Sequence, residues 1–205
     1  MVQAVRGPYR NGVRTREQLI AAATDAFGGS GFRGSSVREI AAAVGVAAPT
    51  LLSHFGRKEE LLLAVLDAWD DRTRQVEPAR SPGLGWFARY PNLMRFHMAH
   101  PGLLRLFITI SAEATEAAHP AHDWVAGRVS RLQKEGVEQL AVAADRGEIP
   151  RMSEADRARE IRSLYAVMDG YALRWLIRPD FDLAADYRNE FDTTMRRWRG
   201  EGAAA

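Results

Sequence analysis

Residues Ser36–Phe55 read SVREIAAAVGVAAPTLLSHF. Ser36 and Glu39 form a capping box, each side chain satisfying a backbone N–H that the first turn of a helix leaves free. A helix therefore starts beside Ser36. Val37, Ile40, Ala41 and Val44 recur at helical spacing on one apolar face, and Gly45 stands where a helix ends in a left-handed residue. Val46 then inserts between this helix and the next. Pro49 fits a second helix only in its first turn, where a missing N–H costs nothing, and Leu51, Leu52 and Phe55 supply the apolar side. Two short helices joined by a three-residue turn cross steeply, as in a helix-turn-helix. In such a unit the second helix enters the major groove of DNA by its N-terminal end. That end carries Ala47, Ala48, Pro49 and Thr50, with Ser53 and His54 a turn later.

Outward from this stretch, Arg14–Phe27 is an amphipathic helix with Leu19, Ile20, Ala23 and Phe27 on one side, followed by the breaker-rich GGSGFRGSS. The first helix is expected to stop there. Downstream, Gly56-Arg57-Lys58-Glu59-Glu60-Leu61 opens another long helix. Through Lys58 the chain has eight Lys or Arg against three Asp or Glu, net +5, and the remainder is net −3. Basic charge thus gathers at the proposed DNA end. Arg6, Arg10, Arg14 and Arg16 suit phosphates or a minor groove, with residues 1–12 expected as a disordered basic arm.

Taken together, R-x-x-L-I-x-A-A-x-x-x-F, G-F-x-x-S-S-V-x-x-I-A, V-G-V, P-T-L and H-F-x-x-K-E-E-L, spread over residues 14–63, resemble the TetR family of transcriptional regulators. The resemblance implies that Lys58 contacts a phosphate and that Ser35 or Ser36 meets the DNA backbone. Two positions depart from the family pattern. Leu52 stands where a tyrosine commonly touches phosphate, and Ala47 stands where a serine or threonine often caps the recognition helix, a change that costs about 1 kcal/mol.

The chain of 205 residues, 46% hydrophobic, is long enough for one large or two modest domains. It has no cysteine, which removes disulfides, thiolate nucleophiles and Cys-based metal sites. No apolar run approaches the roughly 20 residues that cross a bilayer, and the N-terminus has no secretory pattern, so a cytoplasmic protein without membrane contact is expected. Nucleotide-binding glycine loops, G-x-S-x-G and repeats of 20 to 50 residues are missing.

Beyond Lys58 the pattern is helical almost throughout. Lys58 to about Val76 is one helix, broken by Pro78 and the turn-forming Ser81–Gly85. Further helices fit Tyr90–Ala99, Gly102–Ala117, Pro120–Arg146, Glu154–Arg178 and Leu183–Arg199. The expectation is an all-α chain of about nine helices. Residues 1–57 would form a three-helix DNA-binding domain with the helix-turn-helix, and 58–205 a helical ligand-binding and dimerisation domain.

On the last two helices, Ile161, Leu164, Tyr165, Met168, Ala172, Trp175 and Leu176 make a broad apolar surface, and Leu183, Tyr187, Phe191, Met195 and Trp198 a second stripe. Paired with symmetry mates they would close a four-helix homodimer interface, with Gly170 allowing close approach; the alternative is intrachain core. A dimer is needed to set two recognition helices roughly 34 Å apart.

The resemblance also implies a small-molecule effector pocket in the C-terminal helices. Its polar candidates are His97, Glu113, His119, His122, Arg128, Asp169 and Arg174, with Trp86, Phe96, Phe107, Trp124 and Tyr171 as aromatic walls, each of which could equally be core. The spacing of His119 and His122 invites a metal reading, but Pro120 and Asp123 make the segment a helix start, so neither metal nor cofactor is expected. A buried histidine paired to a carboxylate there would lock helices together.

The expected function is an operator-binding repressor, released by its effector, and not an enzyme. Two other readings are a helical dimer with a degenerate DNA head and an all-helical enzyme using carboxylates such as Glu113 and Glu116.

Overall fold

The computed structural model describes residues 8–76 and 81–201, with side chains from residue 12 onward. The expectations at Arg6 and Pro78, and for the Arg10 side chain, lie outside these. Among the described residues there are nine α-helices, one 3-10 helix and no strand. The helices are α1 (Pro8–Gly34), α2 (Val37–Ala43), α3 (Ala48–Phe55), α4 (Lys58–Gln75), α5 (Tyr90–Ala99), α6 (Pro101–Glu113), α7 (His122–Asp145), α8 (Glu154–Ile177) and α9 (Leu183–Trp198). The 3-10 helix, Gly83–Arg89, occupies and extends the segment expected as a turn.

The chain forms two compact units, one made by the chain up to Asp71 with Gly102–Asp123, the other by Arg72–Pro101 with the chain from Trp124. The division expected at residue 57 follows the end of the helix-turn-helix, whereas the first unit also takes in most of α4 and α6.

In the first unit α1 overruns its expected end at Phe27. Gly28 and Gly29 are helical, and the axis breaks at Gly31, with φ 70° and ψ 179°. Packing explains the overrun: a Cβ at Gly28 would lie 3.1 Å from Leu106 N and 3.2 Å from Gly102 O, so glycine is what lets the α6 backbone cross α1. Leu19, Ala23 and Phe27 of α1 are buried, as are Ile40, Leu51, Leu61, Leu62 and Leu66. Trp69 of α4 stacks on Phe107 of α6 with ring centroids 4.2 Å apart. Phe107, half-buried, thus packs against α4.

In the second unit α9 packs against α5 and α8. Leu183, Tyr187, Phe191, Met195 and Trp198 are buried there. This corrects the expectation of a dimer surface at Tyr187, Phe191 and Met195: the stripe faces α5 and the 3-10 helix, Phe87 meeting Trp198 edge-on at 5.0 Å. Met168 and Ala172 of α8 are buried too, and Tyr165, Trp175 and Leu176 half-buried. In its C-terminal half α8 presents Ala166, Val167, Gly170, Leu173 and Ile177 to solvent, beside the exposed Asp169 and Arg174. Among the described residues no helix is long and apolar enough to cross a membrane.

Candidate nucleic-acid interface

The helix-turn-helix forms as its local signals dictate. Ser36 Oγ accepts from Glu39 N at 3.1 Å, and Ser36 N donates to Glu39 Oε2 at 3.2 Å, completing the capping box. Gly45, with φ 74°, turns the chain, while its N–H donates to Ala42 O and that of Val46 to Ala41 O, each at 3.0 Å. These bonds close the end of α2, as a left-handed glycine after a helix should. Ala47 occupies the N-cap of α3 without a side-chain hydrogen bond, and Pro49 sits in the first turn.

Leu51 and Phe55 hold α3 to the core, which turns Pro49, Leu52 and Ser53 outward; all three are exposed, while Ala48, Thr50 and His54 are half-buried. Ser53 Oγ donates to Thr50 O at 2.7 Å. Of the candidates named from the sequence, Ala47, Ala48, Pro49 and Thr50 lie at the N-terminal end of α3, and Ser53 and His54 lie toward its other end.

The phosphate candidates divide. Ser35 is buried and its hydroxyl bonds to Gly31 O at 2.6 Å, with Ala26 O also in reach at 3.1 Å. That corrects its expected role as a DNA contact, because the hydroxyl closes the end of α1 instead. Lys58 donates from Nζ to Phe32 O and Ser35 O and lies over the Phe32 ring. Two of its three donors are thus used inside the unit, and one is left for a phosphate. Arg57 pairs with Glu60 at 3.1 Å, and the Arg16 guanidinium lies 5.0 Å from the Phe55 ring centroid. Arg14 and Arg38 are exposed and carry no ion pair among the described residues. Arg38 was missed in the sequence; its position in the first turn of α2, with no acid four residues away, is the signal that points to it.

The residues expected in an effector pocket fall in both units. Glu113, His119 and His122 belong to the first, where Glu113 Oε2 accepts from Phe32 N at 2.9 Å and lies 3.3 Å from His119 Nε2. Ala121 N donates to His119 Nδ1, and the buried Nε2, beside the carboxylate, has no hydrogen-bond partner among the described residues. His122 Nδ1 lies 2.9 Å from Ala114 O. Glu113 thus ties the end of α6 to the chain after the kink in α1 through Phe32 N. No group of three or more metal-ligating side chains occurs among the described residues.

In the second unit the charge of Arg128 acts on His97, Asp169, Tyr90 and Tyr165. Burial lowers His97 to about 4, with Arg128 and His100 adding to the fall. Desolvation lifts Asp169, at the solvent edge of α8, to about 6, with Arg128 opposing the rise. Tyr90 and Tyr165 bond hydroxyl to hydroxyl at 2.6 Å, and burial pushes both upward. Tyr187, whose buried hydroxyl has no hydrogen-bond partner among the described residues, is raised by burial and then by Tyr90 and Asp169. Sequence reasoning missed these three tyrosines as polar groups because Tyr165 and Tyr187 lie within apolar stripes and Tyr90 opens a helix. Trp86 is covered by the Arg89 guanidinium at 3.8 Å, Phe96 stacks on His100 at 4.4 Å, and Tyr171 meets Phe181 edge-on. Trp124 is half-buried and Arg174 exposed. A groove of about 730 Å³ between the 3-10 helix and α9, lined by Leu84, Phe191, Asp192, Met195, Arg196 and others, contains none of the residues expected in a pocket.

Residues 19–65 match the family described as bacterial regulatory proteins, tetR family. Across nearly its whole length the chain is similar to the HTH-type transcriptional regulator TtgR of Pseudomonas putida, at 28% identity over 93% of this chain and 94% of that one. It is also 26% identical to the HTH-type transcriptional repressor AcnR of Corynebacterium efficiens, over 90% and 94% respectively. In fold it resembles a TetR-family regulator from Agrobacterium tumefaciens, with a TM-score of 0.74 at 15% identity, covering 92% of this chain and all of the other. FadR from Bacillus subtilis, solved with stearoyl-CoA, aligns with a TM-score of 0.71 at 16% identity, covering 90% and 98%.

Proposed function

Because this chain belongs to the TetR family of bacterial regulatory proteins, we propose that it acts as a dimeric repressor, holding a palindromic DNA operator until a small-molecule effector releases it. The observation that carries the reading is the helix-turn-helix itself: α3 is fixed by Leu51 and Phe55 with Pro49, Leu52 and Ser53 outward. Arg14 and Arg38 supply exposed charge for phosphates, to which the remaining donor of Lys58 is added.

The outer face of α8 supports a dimer. Ala166, Val167, Gly170, Leu173 and Ile177 are exposed at helical spacing, and a Cβ at Gly170 would meet nothing within 4 Å. A symmetry-related α8 laid across this strip would bury it, and the small residues at 166 and 170 would let the two backbones approach. The group of His97, Arg128, Asp169 and the buried Tyr187 hydroxyl supports an effector site in the second unit. A fold neighbour, FadR from Bacillus subtilis, was crystallised with stearoyl-CoA, which supports this part of the reading. An effector acts by its differential affinity for DNA-competent and DNA-incompetent arrangements of the dimer, about 1.4 kcal/mol for each tenfold preference. Work of this kind belongs in the cytoplasm.

The test is retention of genomic fragments, including the region upstream of the chain's own gene, by purified protein at low salt. Retention that weakens steeply as salt rises is expected. If no fragment is retained, the reading fails. The second reading, a dimer whose DNA head has lost function, is favoured by Leu52 and Ala47, which remove a phosphate contact and a helix cap, and the same assay separates the two.

A further inference from the structure

We propose that α3 reads its operator through the C5-methyl groups of thymine, with Leu52 as the main contact and Pro49 beside it, and not through hydrogen bonds to guanine. The inference rests on the DNA-binding reading above and adds the chemistry of the base contact.

In the major groove, guanine is specified by arginine or lysine, adenine by asparagine or glutamine, and cytosine by a carboxylate; thymine alone offers a methyl group. Helix α3, APTLLSHF, contains none of the six side chains that specify the other three bases. Its polar groups are few and partly engaged. The Ser53 hydroxyl proton goes to Thr50 O. His54 lies in the last turn, half-buried with its ring tilted against Phe55, away from the N-terminal end that enters the groove. Of the neighbouring cations, Arg57 is paired with Glu60, Lys58 is turned to Phe32 O and Ser35 O, and Arg16 lies over Phe55, while the exposed Arg38 belongs to α2 and not to the helix proposed to read the bases.

The outward surface is correspondingly apolar. Leu52 is 40% exposed, and Pro49 lies three residues before it on the same side, with Ala47 and Ala48 at the entering end. An exposed leucine gains from docking only if it meets apolar atoms, and the thymine methyl is the apolar group that the floor of the major groove presents.

The experiment begins with full-length protein and a pool of random duplexes, from which bound sequences are selected. The selected half-sites are expected to carry thymine at central positions. Synthetic duplexes of the selected sequence are then made with deoxyuridine in place of each such thymine, which removes the methyl and keeps pairing and the O4 acceptor. Binding should weaken about four-fold for each methyl buried against Leu52, the equivalent of ~0.8 kcal/mol per buried carbon. In Leu52→Ala the discrimination between thymine and uracil at that position should vanish, while an unchanged melting temperature shows the fold intact. Equal binding of both duplexes by the unaltered protein, or selected half-sites without central thymine, overturns the proposal. Failure to enrich any sequence overturns the DNA-binding reading along with it, and so is distinguishable from failure of the methyl contact alone.

Discussion

Acidification should weaken the fold through one residue, His97. It is buried on α5, facing the charges of Arg128 and His100, and it titrates near 4 in the folded chain against 6.5 in the unfolded one. As pH falls below 6.5 the unfolded chain takes up a proton that the folded chain refuses until about 4. Stability contributed by keeping His97 neutral is therefore complete above 6.5 and lost as pH falls toward 4. The gap corresponds to ~3 kcal/mol at most, accumulating at up to ~1.4 kcal/mol per pH unit. Asp169 opposes this: held up near 6 in the fold, it takes up its proton before the unfolded carboxyl does, so acid favours the folded state at that group. A variant removes the ambiguity. Urea unfolding of the wild type and His97→Gln, at fixed protein concentration from pH 7.5 to 4.5, should show the wild type losing about 2 kcal/mol relative to the variant between pH 6.5 and 5. A difference between the two that is constant across this range would refute the reasoning.

Ala47→Ser should supply the N-cap that α3 lacks and raise stability by about 1 kcal/mol, read as a higher melting temperature. In Arg38→Gln, operator binding should weaken to a similar degree for all operator sequences, and the salt dependence should flatten by about one ion per half-site; an unchanged slope would show that Arg38 faces no phosphate. Leu173→Glu on the outer face of α8 should yield a monomer by light scattering with helical content retained, whereas a persistent dimer would move the interface elsewhere. Gly136→Ala, where a Cβ would come within 2.9 Å of both Cδ1 and Cγ2 of Ile161, should cost about 1–3 kcal/mol in thermal unfolding through crowding between α7 and α8.

What could be read from the sequence was what neighbours in the chain decide. The capping box of Ser36 and Glu39, the turn at Gly45 and the placement of Pro49 depend on residues within one or two turns, and each was legible. Helix α5 likewise has the ends its flanking signals announced. Where distant residues decide, the reading failed. Gly28 and Gly29 look like breakers, yet α1 runs through them because α6 needs the room at Gly28. The stripe of α9 has the periodicity of an interface and of a core alike, and only the presence of α5 against it distinguishes them. Ser35 was assigned outward by resemblance, but the backbone carbonyls near the end of α1 take its hydroxyl inward and engage Lys58 Nζ as well. The charged and aromatic residues chosen for a pocket were separated by topology, with Arg128 gathering one group and Glu113 another.

The junction at Gly31 bears on how mutants of this protein would behave genetically. A side chain there would strike Glu113 Oε1 at 2.0 Å, and the same carboxylate, 81 residues along the chain from Phe32, accepts the N–H that follows the kink. The end of α1 is thus held by a residue that an unguided map of the sequence would assign to another domain. A screen for loss of operator binding should consequently recover changes at Glu113 and His119 beside those in α3, and such alleles would be misread as effector mutants if sorted by position in the chain alone.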